Sequence, residues 1–131
     1  MSHPEISVEL LPPKLQEFVR LIGVAATLKM VEKYGGLRIY IPVKATPDHE
    51  FAKLIGVENL AKLGKVFGLE DHFQLPKAQA ALRALRDTKI ATEYGPKSVR
   101  TLAAEFRLTE RGVWAILAKS SIKNEFQMEL L

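Results

Sequence analysis

The 131-residue sequence contains no cysteine. It therefore has no disulfide bond, no thiol nucleophile and no thiolate ligand for a metal ion, and nothing in it indicates an oxidising compartment. The sequence also has no apolar run approaching the ~20 residues of a membrane span, and residues 1–11 lack the positive end and apolar core of a secretory signal. We expect a cytoplasmic protein with no membrane partner.

Residues that commonly carry catalysis are also scarce. The three histidines, His3, His49 and His72, have no metal-binding spacing, and there is no Gly-rich phosphate loop, Ser/His/Asp arrangement or zinc motif. Two acidic clusters, residues 48–50 and 70–72, lie where we expect helix starts or loops, and acidic residues are common there. We predict no catalytic residue, no metal site and no cofactor. A two-carboxylate nuclease site built from these clusters is one alternative.

The net charge of +4 is unevenly distributed along the chain. Residues 1–76 contain nine basic and nine acidic side chains, whereas residues 77–123 contain ten basic and four acidic ones. A positive segment of this kind suits a phosphate backbone. A second alternative is an interaction module that dimerises without binding DNA. The charge argues against it, and a salt-dependent shift assay separates the two because DNA binding weakens steeply with salt.

Ser98 to Lys119 is predicted to form two short helices joined by a tight turn. Ser98 is a good N-cap for a first helix from about Val99 to Phe106, and Thr109 is a good N-cap for the second. Arg107 stands at the turn position that glycine suits best. The apolar residues at helical spacing are Val99, Leu102, Ala103 and Phe106 in the first helix and Val113, Ile116 and Leu117 in the second. The pattern fits a DNA-reading helix-turn-helix or a plain helical hairpin of the core.

If this helix pair reads DNA, the side chains opposite the apolar stripe of the second helix face the major groove. The predicted base-reading residues are Thr109, Glu110, Arg111, Trp114 and Ala115. The predicted phosphate-contacting residues, which flank the pair, are Lys97, Ser98, Arg100 and Lys119. Trp114 lies at the edge of the apolar stripe, so we expect it to be partly exposed.

The N-terminal half contains an internal repeat. Residues 17–35 match residues 50–68 at an offset of 33, with 8 identities in 19 positions. We interpret the repeat as two helix-helix-strand units, residues 14–45 and 47–78, with strands at Leu37 to Ile41 and, more weakly, at His72 to Leu75. Each unit is too small to bury its own apolar face, so the two pack together or each packs against a second chain.

These elements predict a mainly α fold with one or two short β-strands. Residues 1–76 are expected to form a dimerisation region made of the helical repeat. Residues 77–131 are expected to form a linker helix, from Lys77 to Tyr94, followed by the C-terminal helix-turn-helix, with Gly95-Pro96 as a sharp stop between them. The tail, residues 120–131, is either a docking segment or a frayed end.

The run Gly35-Gly36-Leu37-Arg38-Ile39-Tyr40-Ile41-Pro42, followed by the C-terminal helix pair, resembles the Mor transcription activator family of Mu-like phages. Ser98-Val-Arg-Thr-Leu-Ala and Val113-Trp-Ala-Ile-Leu support the resemblance. It implies a homodimer that binds double-stranded promoter DNA and recruits RNA polymerase. It also implies that the Gly-Gly turn and the strand after it approach the minor groove between half-sites, through Gly35, Gly36, Arg38 and Tyr40.

The first strand also bears on the oligomeric state. Because a lone five-residue strand is not stable by itself, we predict a twofold dimer in which Leu37 to Ile41 pairs with its copy in a second chain. The alternative is that the two strands of one chain pair with each other. The protein would then be a pseudo-symmetric monomer whose single helix-turn-helix reads one half-site.

Overall fold

A computed structural model describes the backbone of residues 10–129 and the side chains of residues 10–120. In this range the chain forms six helices and two short strands, so the predicted mainly α fold is confirmed. The helices are α1 (Pro13–Tyr34), α2 (Glu50–Ile55), α3 (Val57–Phe67), α4 (Gln79–Glu93), α5 (Val99–Glu105) and α6 (Glu110–Glu129), and the strands are β1 (Arg38–Ile39) and β2 (Phe73–Gln74). His3 and the last two residues of the tail lie outside the described residues.

The chain divides into two compact units, Met1–Leu85 and Arg86–Leu131, which we call the N-terminal and C-terminal units. The division falls within α4. Across the helices that the structure describes, none combines the length and the apolar character needed to cross a membrane.

α1 begins at a pair of prolines and is interrupted at Gly23. Pro12 is its N-cap and Pro13 its first residue. Proline suits this position because the first N–H groups of a helix have no partner within the helix. Gly23 has φ 85° and ψ 165°, a conformation that essentially only glycine adopts, so the helical geometry stops there. The hydroxyl of the buried Thr27 donates to the Gly23 carbonyl at 2.8 Å. α1 therefore consists of two helical segments that meet at Gly23.

The second copy of the repeat has the same arrangement. Gly56, the equivalent of Gly23, separates α2 from α3 with φ 96° and ψ 148°. Gly35 and Gly68 are also equivalent, and each donates its N–H to the carbonyl four residues earlier at 2.9 Å. A Cβ on either glycine would collide with that carbonyl oxygen. Each copy thus has two helical segments followed by a short strand.

β1 pairs antiparallel with β2 of the same chain. Arg38 lies opposite Gln74 and Ile39 opposite Phe73, and the Leu75 N–H extends the ladder by donating to the Leu37 carbonyl at 2.9 Å. The strands are shorter than predicted, and of the two pairings that the sequence leaves open, the structure has the one in which the two strands of one chain pair with each other. The polar residues 70–72 lie before β2 and not within it. The ladder is formed by backbone N–H and carbonyl groups, so its residues do not have to be apolar.

The core of the N-terminal unit is built from both copies of the repeat. Its fully buried large side chains include Leu15, Phe18, Met30 and Ile41 from the first copy and Ile55, Leu60, Leu63 and Leu75 from the second. Burying a leucine-sized side chain contributes about 1.5–3 kcal/mol. Of the two arrangements that the sequence leaves open, the structure therefore has the one in which the two copies pack together.

Candidate nucleic-acid interface

The C-terminal unit contains α5 and α6, joined by residues 106–109. Ser98 caps α5, because its Oγ accepts the Thr101 N–H at 3.1 Å. At the other end, the Leu108 N–H donates to the Ala103 carbonyl at 2.9 Å, which is the closing bond of a Schellman turn. Arg107 occupies the left-handed position of that turn with φ 58°. The tight turn is as predicted, with arginine where glycine is the usual residue.

α6 begins with a cap of the same kind. Thr109 Oγ1 accepts the Gly112 N–H at 3.0 Å, and the Thr109 carbonyl accepts the Val113 N–H at 3.1 Å. A Cβ on Gly112 would lie 3.3 Å from Thr109 Oγ1, so a larger residue would crowd the cap. Glycine is unfavourable within a helix, and here it leaves room for the threonine. The predicted start of the second helix is confirmed, and the helix continues through the tail to Glu129.

The buried sides of the two helices follow the predicted stripe. Val99, Leu102, Ala103, Phe106 and Val113 are buried. Leu108, Ile116 and Leu117 are only half-buried. The stripe is therefore complete on α5 and in the first turn of α6, and it becomes shallower further along α6.

The exposed side of α6 presents the predicted base-reading residues together. Thr109, Glu110, Arg111, Trp114 and Ala115 are all exposed. The last three share one face with the exposed Ala118, since i, i+3, i+4 and i+7 positions align on a helix. This face combines a cation, a large aromatic ring and two small side chains.

The predicted phosphate-contacting residues differ in their surroundings. Arg100 and Lys119 are exposed and, within the residues whose side chains are described, have no carboxylate partner. Lys97 Nζ lies 2.9 Å from a carboxylate oxygen of Glu93 and 2.9 Å from one of Glu105. Hydrogen bonds to Glu93 and then Glu105 raise the pKa of Lys97 above its ordinary value.

Trp114 contacts an aromatic side chain that the sequence did not suggest. Its ring centroid lies 5.9 Å from that of Tyr94, edge to face, and the two residues are 52% and 43% exposed. Tyr94, which directly follows α4, therefore makes a half-exposed contact with α6. The i, i+4 spacing of Glu93 and Lys97 hints at their ion pair. Neither the aromatic pair nor the pairing of Lys97 with Glu105 has such a sequence signal.

The residues predicted to approach the minor groove lie in the N-terminal unit. Gly36 has φ 86°, a backbone conformation that residues with a side chain rarely adopt, so the turn favours glycine here whether or not it contacts DNA. Arg38 is exposed, with one guanidinium nitrogen 3.4 Å from the His72 carbonyl. Tyr40 is also exposed, and its ring centroid lies 5.3 Å from that of His72.

The acidic clusters of the nuclease alternative have contacts that stabilise the N-terminal unit. His49 Nδ1 accepts the Phe51 N–H at 3.0 Å and so caps α2. Glu50 accepts a hydrogen bond from the Tyr34 side chain. Glu70 pairs with Lys14 at 2.9 Å. Within the residues that the structure describes, no three His, Asp or Glu side chains are grouped to hold a metal ion.

Two capped helices joined by a tight turn, with an arginine and a tryptophan on the exposed side opposite a buried stripe, are the arrangement found in helix-turn-helix proteins. The Mor transcription activator family model matches residues 45–130, and the chain belongs to this family. No curated protein and no solved structure matches the chain. The matched range contains the second copy of the repeat and α4 to α6, and it begins after the Gly35 to Pro42 run.

Proposed function

We propose that the protein binds promoter DNA through α5 and α6 as a helix-turn-helix and activates transcription from that promoter. The observation that carries the proposal is the exposed face of α6, where Arg111, Trp114 and Ala115 lie together inside the range matched by a family of transcription activators. In this arrangement α6 enters the major groove and its N-terminal residues meet the base edges.

Arg111 is the central base-reading residue of the proposal. It lies in the first turn of α6, where the helix macrodipole is positive, and a cation there is unfavourable for folding by about 0.3–1 kcal/mol. No ion pair offsets this in the part of the chain whose side chains are described. Function rather than stability therefore explains the arginine, and guanine is the base that arginine recognises best, through two parallel hydrogen bonds.

The phosphate contacts are assigned first to Arg100 and Lys119, whose cations are exposed and, among the described side chains, unpaired. The predicted set also includes Ser98 and Lys97, and both already have partners within the C-terminal unit. A phosphate at Lys97 would have to replace one of its carboxylates. We assign Lys97 a supporting role as well, because it neutralises Glu93 and Glu105, which would otherwise repel the DNA backbone.

Further contacts complete the proposal. The exposed Arg38 and Tyr40 remain the predicted contacts to the minor groove, and Gly35 and Gly36 shape the turn that precedes them. RNA polymerase is the expected second partner, because an activator acts on it from the promoter. The predicted homodimer is one stoichiometry for this complex, and the pseudo-symmetric monomer is the other.

The test begins with selection of bound sequences from a random DNA pool, followed by shift assays over a range of salt. Wild-type protein should select one consensus and lose affinity steeply as salt rises. Arg100→Ala/Lys119→Ala should lower the slope of log affinity against log salt by about two units. Lys53→Ala/Lys65→Ala removes the same charge from exposed positions of the N-terminal unit and should leave the slope unchanged.

Three results would contradict the proposal. They are no consensus from the pool, equal slopes for the two double variants, and cleavage of the selected DNA in the presence of magnesium. The last would favour the nuclease alternative.

A further inference from the structure

The contacts between the two copies of the repeat have a twofold pattern. At the offset of 33, Phe18 is equivalent to Phe51 and Tyr34 to Phe67. Phe18 packs on Phe67 with ring centroids 5.2 Å apart, and Phe51 packs on Tyr34 with centroids 4.9 Å apart. Each copy therefore gives the other the same contact that it receives, which is the defining property of an isologous interface.

The sheet has the same pattern. After the one-residue insertion in the second copy, Ile39 is equivalent to Phe73, and these two residues lie directly opposite each other in the antiparallel ladder. In a twofold arrangement, a residue near the axis faces its own equivalent. The pseudo-twofold axis of the N-terminal unit therefore passes beside the Ile39–Phe73 pair.

The two copies are continued by different elements of the chain. The first copy leads directly into the second, whereas the second copy leads into α4, α5 and α6, and the family match covers this second part. In the described part of the chain, the two copies of the repeat together are therefore followed by a single helix pair, α5 and α6. Two separate chains joined through the same kind of interface would bring two such helix pairs.

We propose that the first copy takes the place of a second subunit, so that one chain is the complete DNA-binding unit and reads a single, non-palindromic half-site. The DNA part of this inference rests on the proposed function. Phe18, Phe51 and Phe67 are buried against the other copy, and β1 and β2 pair with each other. The surface that a twofold partner chain would use is therefore already occupied within the chain.

The internal pairing is tested with cysteines, since the chain has none of its own. Arg38 and Gln74 are exposed and paired across the ladder, and the roughly 4.5–5.5 Å between Cα atoms of such pairs suits a disulfide. Oxidised Arg38→Cys/Gln74→Cys should lose both free thiols and migrate as one chain on a non-reducing gel. The single variants Arg38→Cys and Gln74→Cys should keep their thiol and remain uncrosslinked. Disulfide-linked dimers of the double variant at micromolar concentration would overturn the proposal.

Wild-type protein supplies a second test that depends on no substitution. Equilibrium sedimentation at micromolar concentration should give the mass of one chain, and on the selected DNA the complex should contain one chain per site. A consensus without internal symmetry should be bound as tightly alone as within an inverted repeat. A wild-type mass of two chains, or two chains bound cooperatively on a palindrome, would overturn the inference while leaving the proposed function intact. If the protein has the mass of a single chain but binds no specific sequence, the proposed function and the recognition of a half-site are both wrong. The cysteine experiment would still test the pairing of β1 with β2 within the chain.

Discussion

At the level of single residues, Arg111 and Lys119 are expected to contribute to DNA binding in different ways. Arg111→Ala should weaken binding to the selected site by about 1–3 kcal/mol and relax the preference at one base pair, because a bidentate contact to a base is lost. Lys119→Ala should weaken binding to all sequences alike and lower the salt slope by about one unit, because a phosphate contact is lost. Competition shift assays on cognate and random DNA measure both effects. Equal losses on the two DNAs for Arg111→Ala would exclude a base contact.

Trp114 is expected to matter more for binding than for stability. Half of its surface is exposed, and its aromatic contact is with Tyr94. Trp114→Ala should therefore reduce the free energy of unfolding by about 0.5–1.5 kcal/mol, the value of an aromatic pair, and not by the 3–5 kcal/mol typical of a core tryptophan.

Tyr94→Ala is the matched control for this prediction, because it removes the same ring contact and leaves the indole in place. The two variants should unfold at similar denaturant concentrations, while Trp114→Ala should bind the selected DNA at least tenfold more weakly than Tyr94→Ala, a difference of about 1.4 kcal/mol. Trp114 is the only tryptophan, so its fluorescence should also change when DNA is added to wild-type protein. Similar binding by the two variants would assign Trp114 a structural role only.

At the level of secondary-structure elements, the turn between α5 and α6 can be tested through Arg107. A non-glycine residue in the left-handed conformation is less stable than glycine there by about 1 kcal/mol or more. Arg107→Gly and Arg107→Ala both remove the side chain and its contacts, but only glycine relieves the backbone. Arg107→Gly should therefore be about 1 kcal/mol more stable than Arg107→Ala in urea unfolding. The opposite order, as found within a helix, would show that this residue is not left-handed in solution.

The local elements were largely predictable because their causes are local. Ser98 and Thr109 cap helices through bonds that span three residues, and the break at Gly23 reflects a conformation that its own lack of a side chain permits. The exposed face of α6 results from helical spacing in the same way. Strand pairing was harder to predict, because the charges of residues 70–72 weaken the pattern while the ladder depends on backbone groups.

For the whole molecule, contacts between residues far apart in the sequence could not be predicted. The sequence indicates that residues 17–35 and 50–68 are related, but either packing within the chain or pairing between chains could satisfy that pattern. Lys14 illustrates the missing information: its Nζ bonds Glu70 and lies 4.3 Å from the centre of the Phe73 ring, which fastens β2 to α1 across more than fifty residues. No spacing pattern in the sequence predicts such a contact. It holds β2 close to α1 of the same chain, where β2 pairs with β1.

The packing of the two copies makes the stability of the whole N-terminal unit sensitive to alkaline pH. Tyr34 of the first copy donates to Glu50 of the second; burial, this hydrogen bond and the carboxylate charge raise the pKa of Tyr34 from 10.0 to about 12. Between these pH values the folded chain holds the phenol proton more tightly than the unfolded chain, so stability is full below pH 10 and falls as the pH approaches 12.

Urea unfolding of wild type and Tyr34→Phe across this range measures the effect. As the pH rises from 10 to 12, the unfolding free energy of wild type should fall relative to that of Tyr34→Phe, because phenylalanine has no proton to lose. Glu50→Gln should show an intermediate dependence, since it removes the carboxylate charge but leaves the burial that shifts the pKa most. A pH-independent difference between wild type and Tyr34→Phe would mean that this contact between the copies does not persist in solution.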